Sequence, residues 1–398
     1  KVRMLSYGSF VWVQAVFGDS FVVQRVVNVL LHLASCYAIW LLVAELFKHV
    51  RFSEETLAEP GFDINRQIAI FAAVALFAVH PMAVYAVGYL VQRSMVMMTL
   101  FAALACWTFV RALAGGGIKW ALLALLFTVC ALLSKEHAVV LPALALPLYI
   151  FVKRPSWKVI AGIVVAIAVV MGLFTAVLWQ QLGAFVGAVA TDDTSWAYVH
   201  LLEKLYPGIT SSIYPLSLMN QATLFFNYGL LWLLPNVQWM AIDLRPVYPL
   251  SYSSWPHWLG ALGYLVLLIG SFCLLLRRRD GWGLVGLVLL CTAILFSTEF
   301  VTAWLQDPFV LYRSYIWAMF LPALLALVLL HLPRKAMVAV ACIAGIGLTG
   351  LAVERNLTFK NAYTAWTDAA QKVDMQAPFN AFGRWRPFNN RGAYLLEN

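Results

Sequence analysis

Residues 120–152 read WALLALLFTVCALLSKEHAVVLPALALPLYIFV, two apolar runs that meet at Lys135, Glu136 and His137. Charge beside hydrocarbon is costly and is kept where it has work to do. The runs on either side, Trp120 to Leu133 and Ala138 to Val152, read as membrane helices and the triplet as the polar connection between them. Outward from here the pattern repeats. Apolar spans are expected near 26–47, 67–80, 94–112, 119–134, 138–152, 159–180, 257–276, 282–298, 314–331 and 336–353. A few are shorter than the roughly 20 residues that cross a bilayer upright, and these flank the triplet. Residues 208–235 are apolar but broken by Pro215, Asn220, Asn227 and Pro235, which predicts a re-entrant pair or two tilted helices.

Composition agrees. With 63% hydrophobic and 11% charged residues over 398 positions, the chain is too apolar for a soluble domain. Six cysteines lie inside apolar runs without zinc-site or disulfide spacing and read as small core residues. The net charge of +9 sits in short clusters at the ends of apolar runs, a topology and headgroup pattern that excludes nucleic acid as a partner. The fold class is therefore an all-α polytopic membrane protein.

Every second connection is basic: Lys48, Arg51 and Arg66; Arg111 and Lys119; Lys153, Arg154 and Lys158; Arg277 to Arg279; Arg334 and Lys335. The positive-inside rule puts these in the cytoplasm, provided that 208–235 leaves and returns on one side. His80, Arg93, Lys135, Glu136, Asp192, Asp193, Asp243, Arg245, Asp307 and Arg313 then share the outer face, where a lipid-anchored substrate presents its headgroup. Outer-loop aromatics, among them Trp196, Tyr198, Tyr206, Trp239, Tyr248, Tyr252 and Trp255, fit an interfacial belt or a stacking surface for sugars.

Several motifs resemble one family. The run from Ala75 through His80-Pro81 to Gln92-Arg93, the Ser134-Lys135-Glu136 step, Tyr312-Arg313-Ser314-Tyr315, Arg25 with Asn28 and His32, and Arg3-Met4-Leu5 are similar to signatures of multi-spanning glycosyltransferases that carry tetratricopeptide repeats, including the transmembrane O-mannosyltransferases. The tail, with Arg355-Asn356, Trp366, Asp368 and Asn390-Arg391-Gly392, resembles the lead into a first repeat. The resemblance implies a GT-C-like bundle of about 10–12 spanning helices, with 1–353 as the transferase-like domain and 354–398 as an outer-face helical tail that begins a repeat region. It also implies that the first span and the catalytic carboxylate of the first outer loop precede this chain. Asp19, Asp192 and Asp193 are the candidates within it for that outer-loop carboxylate. Before Arg313, where relatives carry Glu-His, this chain has Leu311-Tyr312, so an acid is missing there.

Sugar transfer from a polyprenyl phosphate needs a base for the acceptor hydroxyl and positive charge on the departing phosphate. Lys135, Arg93 and Arg313 are the expected phosphate ligands, with Glu136 and His80 as catalytic candidates. Glu136 could equally pair with Lys135, and His80 before Pro81 could cap a helix. A divalent cation is admitted as a cofactor, though no ligand spacing specifies one. The expected donor is a polyprenyl-phosphate sugar and the expected acceptor an exported protein such as a pilin. Localisation follows as the bacterial inner membrane with the site and tail periplasmic. The rival expectation is a non-catalytic membrane scaffold presenting helical repeats to partners.

Overall fold

A computed structural model of the protein describes residues 3–182 and 193–397, with side chains except those of 171 and 174–182. The chain forms α1 (Met4–Phe17), α2 (Phe21–Phe47), α3 (Glu54–Ala58), α4 (Phe62–Ala78), α5 (Pro81–Val87), α6 (Arg93–Arg111), α7 (Ile118–Ser134), α8 (Ala145–Lys153) and α9 (Trp157–Leu182). There follow α10 (Asp193–Leu205), α11 (Ile213–Leu233), α12 (His257–Arg277), α13 (Gly281–Phe296), α14 (Ser314–Trp317), α15 (Leu321–Leu329), α16 (Arg334–Thr358), α17 (Ala362–Gln371) and α18 (Arg386–Glu397). Among the described residues strand pairing is confined to one isolated bridge, Leu244 to Phe309. The protein is an all-α integral membrane protein.

Each of the ten expected spans falls on a helix. Among the described residues seven stretches are long and apolar enough to cross a membrane, or eight if α4 and α5 form one span bent by 59°. Three shorter apolar helices, Met4–Phe17, Ile118–Ser134 and Trp157–Val170, accompany them.

Local chemistry sets the boundaries. Ser20 caps α2 by accepting from the Val23 N–H, Asp280 caps α13 by accepting from Trp282, and Asn361 forms a capping box with Thr364 at α17. Between α6 and α7 the chain reverses through Gly115 and Gly117, at φ of 101° and 80°, which side chains rarely tolerate. The core runs through α2, α4, α6, α13 and α14, where Ile39, Leu42, Ala73, Met98, Leu287 and Tyr315 are buried. α16 lies at the periphery, its apolar side chains facing outward as lipid contacts. Of the cysteines, Cys36, Cys106 and Cys291 are core residues as expected, whereas Cys342 is exposed on α16; all six are free.

The basic connections gather at one end of the bundle. The Arg51 N–H donates to the Arg279 carbonyl (2.9 Å), Arg154 donates to Leu275 and Arg278, and Arg334 donates to Asn65. The other connections meet at the opposite, polar end, where Arg25 donates to Phe359, Lys135 to Gln92 and Arg355 to Met240.

The 208–235 stretch departs from expectation, because α11 is one continuous helix. Pro215 sits in its first turn, where no intrahelical N–H is lost, and Asn227 lies outside the buried face. Both flanks are fastened at the polar end. Tyr248 donates to Ile213 and Tyr214 to Phe300 at the start, while Lys372 binds the Val237 and Met240 carbonyls beyond the finish. Both flanks of α11 thus lie at the polar end.

Candidate active site

α7 ends at Ser134 because Lys135 turns extended (φ −161°, ψ 143°), after which Glu136–Leu144 winds as a tight 3-10 segment into α8. The triplet is the tip of that hairpin. Lys135 is 3% exposed. Its ammonium donates to the Gln92 side chain (3.1 Å) and lies 5.2 Å from the Tyr312 ring, with no ion pair among the described residues. Burial, and behind it the charge of Arg3, lowers its pKa to about 7.

Glu136 is half-exposed and held by Arg3, whose Nε donates to Oε2 at 2.8 Å and whose Nη2 donates to Oε1. His137 stands between two carboxylates, Nδ1 at 3.6 Å from Glu136 and Nε2 at 3.7 Å from Glu299. Glu299 is 1% exposed and accepts from Arg313 (2.7 Å), whose guanidinium lies 4.0 Å from the Trp304 ring centre. Arg313 thus has an acid beside it, Glu299 from the turn after α13. Sequence reasoning missed it, although Glu299 carries the triplet's own signal, an acid directly after an apolar run.

Arg93 is fully enclosed one residue from Gln92. It donates to Asn28 (2.6 Å), to Ser9 (3.3 Å) and to the side chain and carbonyl of Gln24, with Phe10 under its guanidinium at 3.8 Å. These partners join α1, α2 and α6. His80 caps α5, its Nδ1 accepting from the Met82 N–H (3.2 Å) while its ring stacks on Trp232 at 4.5 Å. Trp232 in turn donates to Ser314 beside Arg313 (3.0 Å).

Asp19 is exposed in the α1–α2 turn and lines a groove of about 400 Å³ with Tyr7, Phe10, Phe21, Gln24 and Leu90. The groove wall meets the cluster, since Tyr7 accepts from Arg3 and Gln24 from Arg93. Asp193 is exposed in the first turn of α10 and bonds to none of these residues, and Asp192 lies outside the described residues. Among the expected belt aromatics, Trp239, Tyr252 and Trp255 are exposed, but Tyr248 is core and Tyr198 stacks on Phe382 (4.8 Å).

Arg3 and Arg313 thus pair with Glu136 and Glu299, and Lys135 stands beside them as a third cation with no carboxylate, while Arg93 is held by Asn28, Ser9 and Gln24. This surplus suits an anionic phosphate. Glu136, His137 and Glu299 do not fit a metal ion, because guanidinium groups already occupy both carboxylates, and no group of three or more ligating side chains converges among the described residues. No family model, curated protein or solved structure matches the chain.

Proposed function

We propose that the protein is a membrane glycosyltransferase that moves a sugar from a polyprenyl-phosphate donor to an exported protein. The observation that carries this reading is Lys135, a buried cation without a carboxylate of its own inside a cationic cluster that borders an apolar groove. The acceptor hydroxyl attacks the anomeric carbon, the bond from that carbon to the phosphate oxygen breaks, and the polyprenyl phosphate leaves with one more negative charge. Lys135 and Arg313 stabilise that charge. The hydroxyl proton passes to a carboxylate, for which Asp19 on the groove and Glu136 in the cluster beside it are the candidates; Glu136 is weakened as a base by its pair with Arg3. Under the positive-inside rule the polar end and the tail face the periplasm of a bacterial inner membrane.

A second reading, a non-catalytic scaffold presenting helical repeats, is favoured by the pairing of both cluster carboxylates and by the fastening of α17 through Arg355 to Asp368 (3.0 Å). Intact-mass analysis of exported proteins separates the two, comparing cells with the unmutated gene, a Lys135→Ala variant at matched expression, and a deletion. A hexose-type mass increment seen only with the unmutated gene supports transfer. Unchanged glycans after deletion make the scaffold the better reading.

A further inference from the structure

The basic end contains more than surface charge. Lys153 closes α8, and Arg154 then adopts a left-handed conformation (φ 52°), unusual for a side chain of this size. Its guanidinium turns inward onto the end of α12, where Nη1 donates to the carbonyls of Leu275 (2.7 Å) and Arg278 (2.8 Å). Its Nη2 is enclosed and has no partner. The Nε2 of His49, after α2, is likewise enclosed and unpartnered, and burial lowers the His49 pKa, with the charges of Lys48, Arg154 and Lys153 adding to the effect against Glu45.

Two of the acids at this end are already engaged, while Glu54 and Glu55 of α3 are exposed and form no ion pair with the cluster. Glu45 pairs with Lys48 (2.8 Å) and Arg111 (3.4 Å), and Asp280 pairs with Arg278. Arg51, Lys153, Arg154 and Arg279 therefore have no ion pair among the described residues, although the backbone bond from Arg51 to Arg279 holds two of them together. The positive-inside tendency explains why basic residues collect at this end. It does not explain a guanidinium turned inward with one amino group enclosed and unused.

We propose that this cluster binds an anionic phosphate, the headgroup of a phospholipid, with Arg154 as its anchor and Arg51, Arg279 and His49 around it. The depth favours a lipid, because α8 and α12 end and α13 begins here, and the exposed indoles of Trp157 and Trp282 mark the same level as a membrane boundary. The site is separate from the cluster around Lys135, at the other end of the bundle.

Thermal unfolding of the purified full chain in neutral lipid nanodiscs tests this, with titration of phosphatidylglycerol, phosphatidylcholine or inorganic phosphate. Phosphatidylglycerol is expected to raise Tm saturably and phosphatidylcholine not to. Losing one charged hydrogen bond weakens binding by about tenfold, so Arg154→Gln should weaken the phosphatidylglycerol effect by at least that factor. Because Arg154 also braces α8 to α12, the exposed pair Arg51→Gln/Arg279→Gln provides a variant that leaves the fold intact and should weaken it similarly. A flat phosphatidylglycerol titration, or wild-type affinity in both variants, overturns the proposal. Full protection by inorganic phosphate alone overturns the lipid and leaves the free anion as the ligand.

Discussion

Lys135 and Glu299 carry the cluster's chemistry. The unfolded chain keeps Lys135 protonated up to its ordinary pKa of 10.5, whereas the folded chain gives the proton up near 7. Between those values the unfolded state binds more protons, so Lys135 makes stability climb as pH rises from 7 to 10.5. Unfolding of the wild type should show that climb and Lys135→Met should flatten it. Donor binding should run the other way, because a phosphate needs the ammonium, and its affinity should fall as pH is raised above 7; a pH-independent affinity would remove Lys135 from the phosphate site. Glu299→Gln leaves the Arg313 guanidinium buried without its charge partner, a loss of about 3–5 kcal/mol. Denaturation in detergent should show it, while the exposed Asp193→Asn should leave stability within about 0.5 kcal/mol.

Helix pairs in this bundle approach closely where glycine removes a side chain. A methyl group added at Gly286 of α13 would lie 2.7 Å from the Leu275 nitrogen and the Ser271 carbonyl of α12. Both neighbours are backbone and cannot give way. Small residues at such crossings let membrane helices pack by contact, so Gly286→Val should cost about 1–3 kcal/mol through overpacking. Gly270→Val, which meets open space, should show little change in the same thermal assay. The motif residues of α2 belong to this scale too: Asn28 donates to the Val87 carbonyl (3.0 Å), and His32 bridges Ala78 and Tyr315. They fasten α2 to the bent α4–α5 pair and to α14.

For the whole molecule the division into a basic and a polar end makes a topological prediction. In intact cells an impermeant thiol reagent should label Ser253→Cys, in the loop before α12, and spare Lys335→Cys at the start of α16. Labelling of both from one side would break the assigned topology, including the placement of both flanks of α11 at the polar end. The tail is fastened to the polar end twice, by Arg355 and Lys372 on the Met240 carbonyl and by Arg386 on Asp243 and Asp307. Burial raises the pKa of Asp243 against the opposing pull of Arg245.

The membrane class, the helical character of the ten expected stretches and the basic face were legible in the sequence, because apolar runs and charges at their ends are local properties of the chain. The hairpin tip at Lys135 was legible for the same reason. Only the tertiary structure decided that α11 is continuous with both flanks at the polar end, that Arg93 is spent on Ser9, Gln24 and Asn28, and that Glu299 from one turn neutralises Arg313 from another. Each depends on pairings between segments far apart or folded back on one another, which are fixed by what the packed bundle leaves within hydrogen-bonding reach.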